Sequence, residues 1–293
     1  MRSLWIFLAS LVSAVSGPGV SSAGAACPQA DGRRAKTAHL PPAIEIKGAG
    51  SIDEPGGGTR FIWTGTDCVA WIIARPSITV ANDERSVRVA LDGRFVVHEE
   101  APTGTREYSI DKSGIESLTV DGKPAELSAT NREWIATMVR EYLRRSGINA
   151  SARARAIVAA AGSDGALREA SAIPRADIRV VYLIAGFSAV SDSAKRSTYT
   201  RDAVRLLNEE YARAHLLASI PVEWRNDRSV LAAVYQEASR IRADGAILIV
   251  IKALPPPRPL PPELRESVRD LIDSIRNSEQ RAELRGRFLD APR

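Results

Sequence analysis

Aromatic side chains make up only 5% of this 293-residue chain, which has two cysteines, three histidines and no apolar run of comfortable membrane-spanning length. Each scarcity removes a class of chemistry. Two cysteines without a C-x-x-C pair make a poor zinc site. His39, His98 and His215 fall at no metal-ligand spacing. His98-Glu99-Glu100 opens like H-E-x-x-H, but Ala101 and Pro102 follow and break the pattern. Pro55-Gly56-Gly57-Gly58-Thr59 lacks the Gly-Lys-Ser/Thr end of a phosphate loop and reads as a turn. Acidic residues are plentiful, yet no pair stands out as an acid/base couple. The sequence therefore assigns no catalytic, cofactor-binding or metal-ligating residue, and no cofactor is expected.

What is present fits a folded protein. Apolar residues are 44% and charged residues 26%, with net charge +5 and a pI near 9.4. A basic balance raises nucleic acid as a partner, but the N-terminus speaks for export instead. Arg2 precedes the apolar run Leu4–Val15, helix breakers Gly17, Pro18 and Gly19 follow, and Ala23-Gly24-Ala25 forms an A-x-A site. Residues 1–25 are expected to be a signal peptide cleaved between Ala25 and Ala26, giving a periplasmic or extracellular chain. Lipidation at Cys27 is disfavoured by Gly24, where a Leu is usual. In an oxidising compartment Cys27 and Cys68 are expected to pair, contributing about 4 kcal/mol in the chain-entropy model.

Residues 26–42 read as a low-order leader and residues 43–127 as a small antiparallel β-domain. Arg60–Val80 holds β-branched and aromatic runs broken by Thr64-Gly65-Thr66. Ser86–Glu100 places two short runs around Asp92-Gly93, a hairpin signal. Thr105–Pro124 repeats the idea, with turns at Lys112-Ser113-Gly114 and Asp121-Gly122. The character changes at Ser128, and residues 128–293 read as a helical-repeat domain. Thr130 and Glu133 have capping-box spacing. Trp134, Ile135, Met138, Val139, Tyr142 and Leu143 line one helix face before Gly147 ends it. A second helix is expected over 150–161, ending at Gly162. Arg140, Arg144, Arg145, Arg153 and Arg155 read as solvated faces, with an electrostatic surface for anionic polymers as the alternative.

The domain repeats itself. With Asp177 laid over Glu210, Asp244 and Ser278, the steps are 33, 34 and 34 residues. Ten positions on come Phe187, Ile220, Leu254 and Phe288, and six positions on come Leu183, Leu216, Val250 and Leu284. Upstream, Val230, Val234, Ala238 and Ile241 recur as Leu264, Val268, Ile272 and Ile275. Such a period signals stacked helical hairpins, a short α-solenoid. It also decides the ambiguous segment AILIVIKAL (Ala246–Leu254). Its β-branched content suggests a strand, but its counterpart ARAHLLASI (Ala212–Ile220) is a clear helix former. A buried helix is expected. Gly186-Phe187-Ser188-Ala189-Val190 competes as a nucleophile elbow, but Val190 stands where G-x-S-x-G needs glycine. Only His215 follows Ser188, inside a repeat helix.

The assembled pattern resembles the extracytoplasmic region associated with antirepressor-type, β-lactam-sensor-like bacterial membrane metallopeptidases, and their free-standing exported relatives. Asp83, Val87 and Gly93 match its β-region turn, with Asp92 in place of the first Gly; Val120, Asp121, Gly122, Trp134, Arg145, Gly147, Ile148, Ala150 and Arg153 match its helix pair; Leu207, Glu210, Tyr211, Ala214, Leu216 and Leu217 match its repeat. The peptidase part has no counterpart here, so the resemblance implies architecture and no catalytic residue. The expected class is α+β: an antiparallel β-domain followed by a helical-repeat domain. The expected role is an exported, non-enzymatic binding or sensory module for a protein or peptide of the cell envelope. The alternatives are an envelope structural or assembly factor, and a hydrolase on an unrecognised fold.

Overall fold

The computed structural model describes residues 50–53, 59–64, 68–74, 78–80, 87–89, 93–257 and 259–290. The expected signal peptide and its cleavage point, the leader, Cys27 and its pairing with Cys68, His39 and the Gly56–Gly58 turn lie outside them.

The described β-region is antiparallel throughout. Strands β1 (Gly50–Asp53), β2 (Thr59–Thr64), β3 (Val69–Ala74), β6 (Phe95–Ala101), β7 (Gly104–Ile110), β8 (Glu116–Val120) and β9 (Lys123–Pro124) form one sheet in that order. Strands β4 (Ile78–Val80) and β5 (Val87–Val89) form a separate pair. The Asp92-Gly93 hairpin is therefore not made. Strand β6 pairs with β3 on one side and β7 on the other, so both its edges are taken and β5 turns to β4. The Asp121-Gly122 turn is made as expected: both residues have positive φ, 51° and 73°, as a two-residue hairpin loop requires.

Alternation along the strands puts Ala70, Ile72, Phe95, Val97, Tyr108, Ile110 and Leu118 on one face. That face is covered by α1 (Ala129–Ser146), through Trp134, Ile135, Met138, Val139, Tyr142 and Leu143. The helix is capped by Ser128, whose side chain accepts from the Asn131 amide, and not by Thr130; Glu133 is engaged by Arg140 instead. Gly147 closes the helix in the left-handed conformation, φ 70°. Although it lies within the 128–293 segment, α1 belongs to the core of the sheet. A second core begins at Ala154 and runs to Phe288.

That second core is built by α2 (Ala150–Ala172), α3 (Ala176–Phe187), α4 (Ser193–Arg205), α5 (Glu210–Ala218), α6 (Arg228–Ala238), α7 (Asp244–Ala253), α8 (Arg265–Asp273) and α9 (Ser278–Phe288). The first helical stretch of α2 ends at Gly162 as expected (φ 63°, ψ −161°); a second stretch resumes at once across the kink and is the first helix of the first hairpin. The second helices α3, α5, α7 and α9 start at residues 176, 210, 244 and 278, so every step is 34. The equivalent of Glu210 is thus Ala176, not Asp177. The one-residue slip has a cause. Position 186, equivalent to Ile220, Leu254 and Phe288, is a glycine because Tyr199 fills the space an apolar side chain would take: a Cβ on Gly186 would lie 1.9 Å from Tyr199 Oη. Phe187 then carries the apolar contact one residue later.

In the corrected register the core positions recur four times. Ile173, Leu207, Ile241 and Ile275 are all buried at the turn inside each hairpin, as are Ala170, Val204, Ala238 and Ile272 one helical turn earlier. AILIVIKAL lies in α7 and its end, with Ala246, Ile247, Val250, Ile251 and Leu254 buried. Burial at about 25 cal/mol per Å² of apolar surface outweighs the few tenths of a kcal/mol per residue lost to β-branching.

Candidate interaction surface

The residues weighed for catalysis are spread over the fold. His98 stands on the sheet face away from α1, stacked on Trp71 (centroids 4.9 Å apart, planes at 9°), with its Nδ1 3.2 Å from Glu107 Oε2. The three form one cross-strand row of β3, β6 and β7. Glu99 points to the other face and accepts from Trp134 Nε1 at 2.8 Å. Ser188 caps α3 and donates its hydroxyl to the Ala185 carbonyl at 2.8 Å, the bond of a helix end. His215 lies exposed on α5. Cys68 is buried at the entrance to β3. Among the described residues no group of three or more His, Cys, Asp or Glu side chains could hold a metal ion. No helix among them is long and apolar enough to cross a membrane.

The arginines of α1 and α2 are only partly the solvated faces expected. Arg144 makes a two-pronged contact to Glu169 of α2, 2.9 Å on each prong, and a third bond to Glu141 at 3.1 Å. Arg145, 5% exposed, bonds Glu141 at 3.2 Å, and the buried Arg153 stands 3.6 Å from Glu169. The Arg153 guanidinium also lies 5.7 Å from the Tyr182 ring centroid. From the loop before α3, Arg175 reaches the Arg145 carbonyl. Burial alone would raise the Glu169 carboxyl, but the Arg144 bonds and charge, with Arg153 and Arg140, hold it below the usual range. Glu169 in turn holds the Arg144 guanidinium further into its charged form. The network binds the sheet's helix to the first hairpin, which makes it a joint between the two cores and leaves little charge there for a polymer.

Along the hairpins, polar groups fasten each repeat to the next. The turn inside each hairpin is held from within by an arginine in the next helix: Arg179 to the Ile173 carbonyl, Arg213 to Leu207, Arg281 to Ile275. These arginines are again 34-register equivalents; the third copy has the buried Ile247. The same turns are held from the preceding repeat. Arg179 donates to the Leu206 carbonyl, Glu210 accepts from the Arg242 amide at 2.9 Å, and Asp244 accepts from the Arg276 and Asn277 amides at 3.0 and 2.9 Å. The two amides keep the Asp244 carboxyl below its usual range. Buried tyrosines serve the interior: Tyr199 donates to the Leu183 carbonyl and Tyr235 to Leu254, and burial pushes both phenols up.

The opposite edge, where one hairpin connects to the next, is less self-occupied. In the second connector Trp224 is buried edge-on against Phe187, with the Arg196 guanidinium 5.3 Å from its ring centroid. Its neighbour Val222 is 72% exposed, the most open of the large apolar residues described. Arg225 donates to the Ala253 carbonyl, and Arg228 pairs with Glu263. These two contacts set the second connector beside both ends of the third, where Pro255, Pro259 and Pro262 are exposed. The sequence reading passed over this edge. At the 34-residue step, the third connector has six prolines in Pro255–Pro262 where the second has one in Pro221–Arg228. No family model, curated protein or solved structure matches the chain.

Proposed function

We propose that the protein is an exported, non-enzymatic interaction module in which the stacked hairpins present a partner-binding surface. The observation that carries this reading is the in-register array itself. Four 34-residue hairpins bury a continuous core, spend their polar groups on holding the turns, and leave the connector edge open with Val222 and the connector prolines. Arrays of this kind build extended surfaces suited to peptides and proteins. The N-terminal signal pattern supports export, and the resemblance to sensor-associated regions supports an envelope protein as the partner. The packing of Gly186 against Tyr199, and the Ser188 hydroxyl bonded to its own helix, speak against the hydrolase alternative.

The test is cross-linking of the full chain, carrying a C-terminal tag, in the intact envelope of its own host. A single stoichiometric protein partner is the expected result. Recovery of only the protein itself would refute the module reading in favour of a structural role.

A further inference from the structure

Helix α1 covers one face of the sheet, and part of the other face is covered too. Alternation turns Val69, Trp71 and Ile73 of β3 and Val96 and His98 of β6 away from α1. There Val96 is 1% exposed and Val69 8%, yet neither belongs to the sheet–α1 core or to the hairpin core. A valine on an open sheet face keeps part of its side chain in water, and neighbouring strands lie beside it, not over it. The burial is reached within a single chain, so the cover belongs to the chain itself.

The face is divided by polarity. Its apolar residues lie on β3 and β6, whereas β7 and β8 present Thr105, Glu107, Ser109, Ser117 and Thr119. Ser109 and Ser117 share a 2.8 Å hydrogen bond in the open. Only the β3–β6 half requires an apolar cover. Val69 pairs with Glu100, four residues along β6 from Val96, so the cover extends about 13 Å along the strands.

Few parts of the chain can supply it. The helices from α2 onward have a core of their own, and the β4–β5 pair sends Val87 into the core under α1. Beyond the described residues and the expected signal peptide, segments 54–58, 65–67, 75–77, 81–86, 258 and 291–293 hold no Leu, Ile, Val, Met or aromatic residue. Residues 90–92 hold Leu91 alone, on a link too short to reach both valines. LPPAIEI (Leu40–Ile46) holds Leu40, Ile44 and Ile46, and its seven residues span about 23 Å when extended. The chain then enters β1 at Gly50, which shares one cross-strand row with Ile62, Trp71 and His98. From β1 to β3 is two strand spacings, about 10 Å, within the roughly 13 Å that residues 47–49 allow between Ile46 and Gly50. The expected Cys27–Cys68 bond would hold the upstream end beside Val69.

We infer that residues 40–46 form a strap across the β3–β6 half of this face, seating Leu40, Ile44 and Ile46 over Val69, Trp71, Ile73 and Val96. The strap does not depend on the interaction-module reading. It closes this face of the sheet with the chain's own segment, so a partner protein has to find its surface elsewhere.

The experiment places photoreactive p-benzoylphenylalanine in the full chain at position 109, whose register partner is Val96, and separately at position 119 on the polar half. After irradiation and reduction, tryptic peptides are identified by mass spectrometry. An intramolecular cross-link from position 109 to the peptide Thr37–Lys47 is expected, without one from position 119. The double variant Ile44→Asp/Ile46→Asp should lose it while keeping the far-ultraviolet circular dichroism of the helices. No cross-link from position 109, one to residues 1–25 or any other segment, or one to a second copy overturns the strap. So does equal capture from position 119, or a cross-link that survives in the variant.

Discussion

Gly186→Ala is the sharpest probe of how the first two hairpins fit. The added methyl would sit 1.9 Å from Tyr199 Oη, 2.7 Å from Cζ and 3.0 Å from the Ala166 methyl. Tyr199 is buried and its hydroxyl donates to the Leu183 carbonyl at 2.8 Å, so it cannot swing aside without losing that bond. Overpacking costs about 1–3 kcal/mol and the lost hydrogen bond about 1 kcal/mol. Alanine in place of a helical glycine returns about 1 kcal/mol. The net expectation is destabilisation of roughly 1–3 kcal/mol. Tyr199→Phe alone should cost about 1 kcal/mol, and in that background Gly186→Ala should cost clearly less, because the nearest clashing atom has gone. Urea unfolding followed by far-ultraviolet circular dichroism and tryptophan fluorescence closes the double-mutant cycle, with coincidence of the two signals as the check that one transition is being measured. A Gly186→Ala protein as stable as the parent, or one equally damaged with and without the Tyr199 hydroxyl, would refute the packing argument.

Gly245→Ala is the contrasting case: its Cβ would come 3.0 Å from the hydroxyl of Tyr211, which is 55% exposed and free to move, so unfolding should show neutral or slightly raised stability. Gly162→Ala meets no atom within 4 Å, but φ 63° and ψ −161° belong almost only to glycine, so a loss of about 1–3 kcal/mol is expected from backbone strain alone. Glu169 has a depressed folded-state pKa, so its contribution is fully present above the ordinary glutamate range and is lost as pH falls through the depressed value. Glu169→Gln should lower stability at neutral pH and flatten the acid side of the stability profile; an unchanged acid limb in thermal melts would count against the joint. Asp244→Ala should leave the Arg276 and Asn277 amides without their acceptor, and hydrogen exchange at those two amides should accelerate while exchange within α4 stays as in the parent.

The repeat was legible because burial forces the same positions to be apolar in every copy, and α7 could be read as a helix only through it. Taken alone, AILIVIKAL carries the composition of a strand, since a helix buried on most sides has no polar face to betray its period. The register slipped by one at the first copy for a reason that lies outside that helix: the side chain missing at Gly186 is supplied by Tyr199, thirteen residues on. In the β-region, Asp92-Gly93 is a sound local turn signal, but pairing is a competition, and β3 and β7 outbid β5 for the edges of β6. Capping was misplaced by two residues because Ser128 and Thr130 are chemically equivalent candidates, and only the position of Asn131 selects between them. The joint was opaque for a different reason. Arg144 and Glu169 lie 25 residues apart, and nothing in either helix says that the other will face it. The proline connector was legible directly as composition.

The fasteners between repeats also set how the array would respond to tension. Arg179 joins the first hairpin to the second, Glu210 the second to the third, and Asp244 the third to the fourth. No fastener among them skips a hairpin, so pulling loads the boundaries in series, and the weakest yields without releasing the rest. Each yielded hairpin frees 34 residues, about 115 Å of extended chain. A molecule fixed at one end and drawn at the other would lengthen in steps of that order, retaining at each stage an intact remnant with its own core.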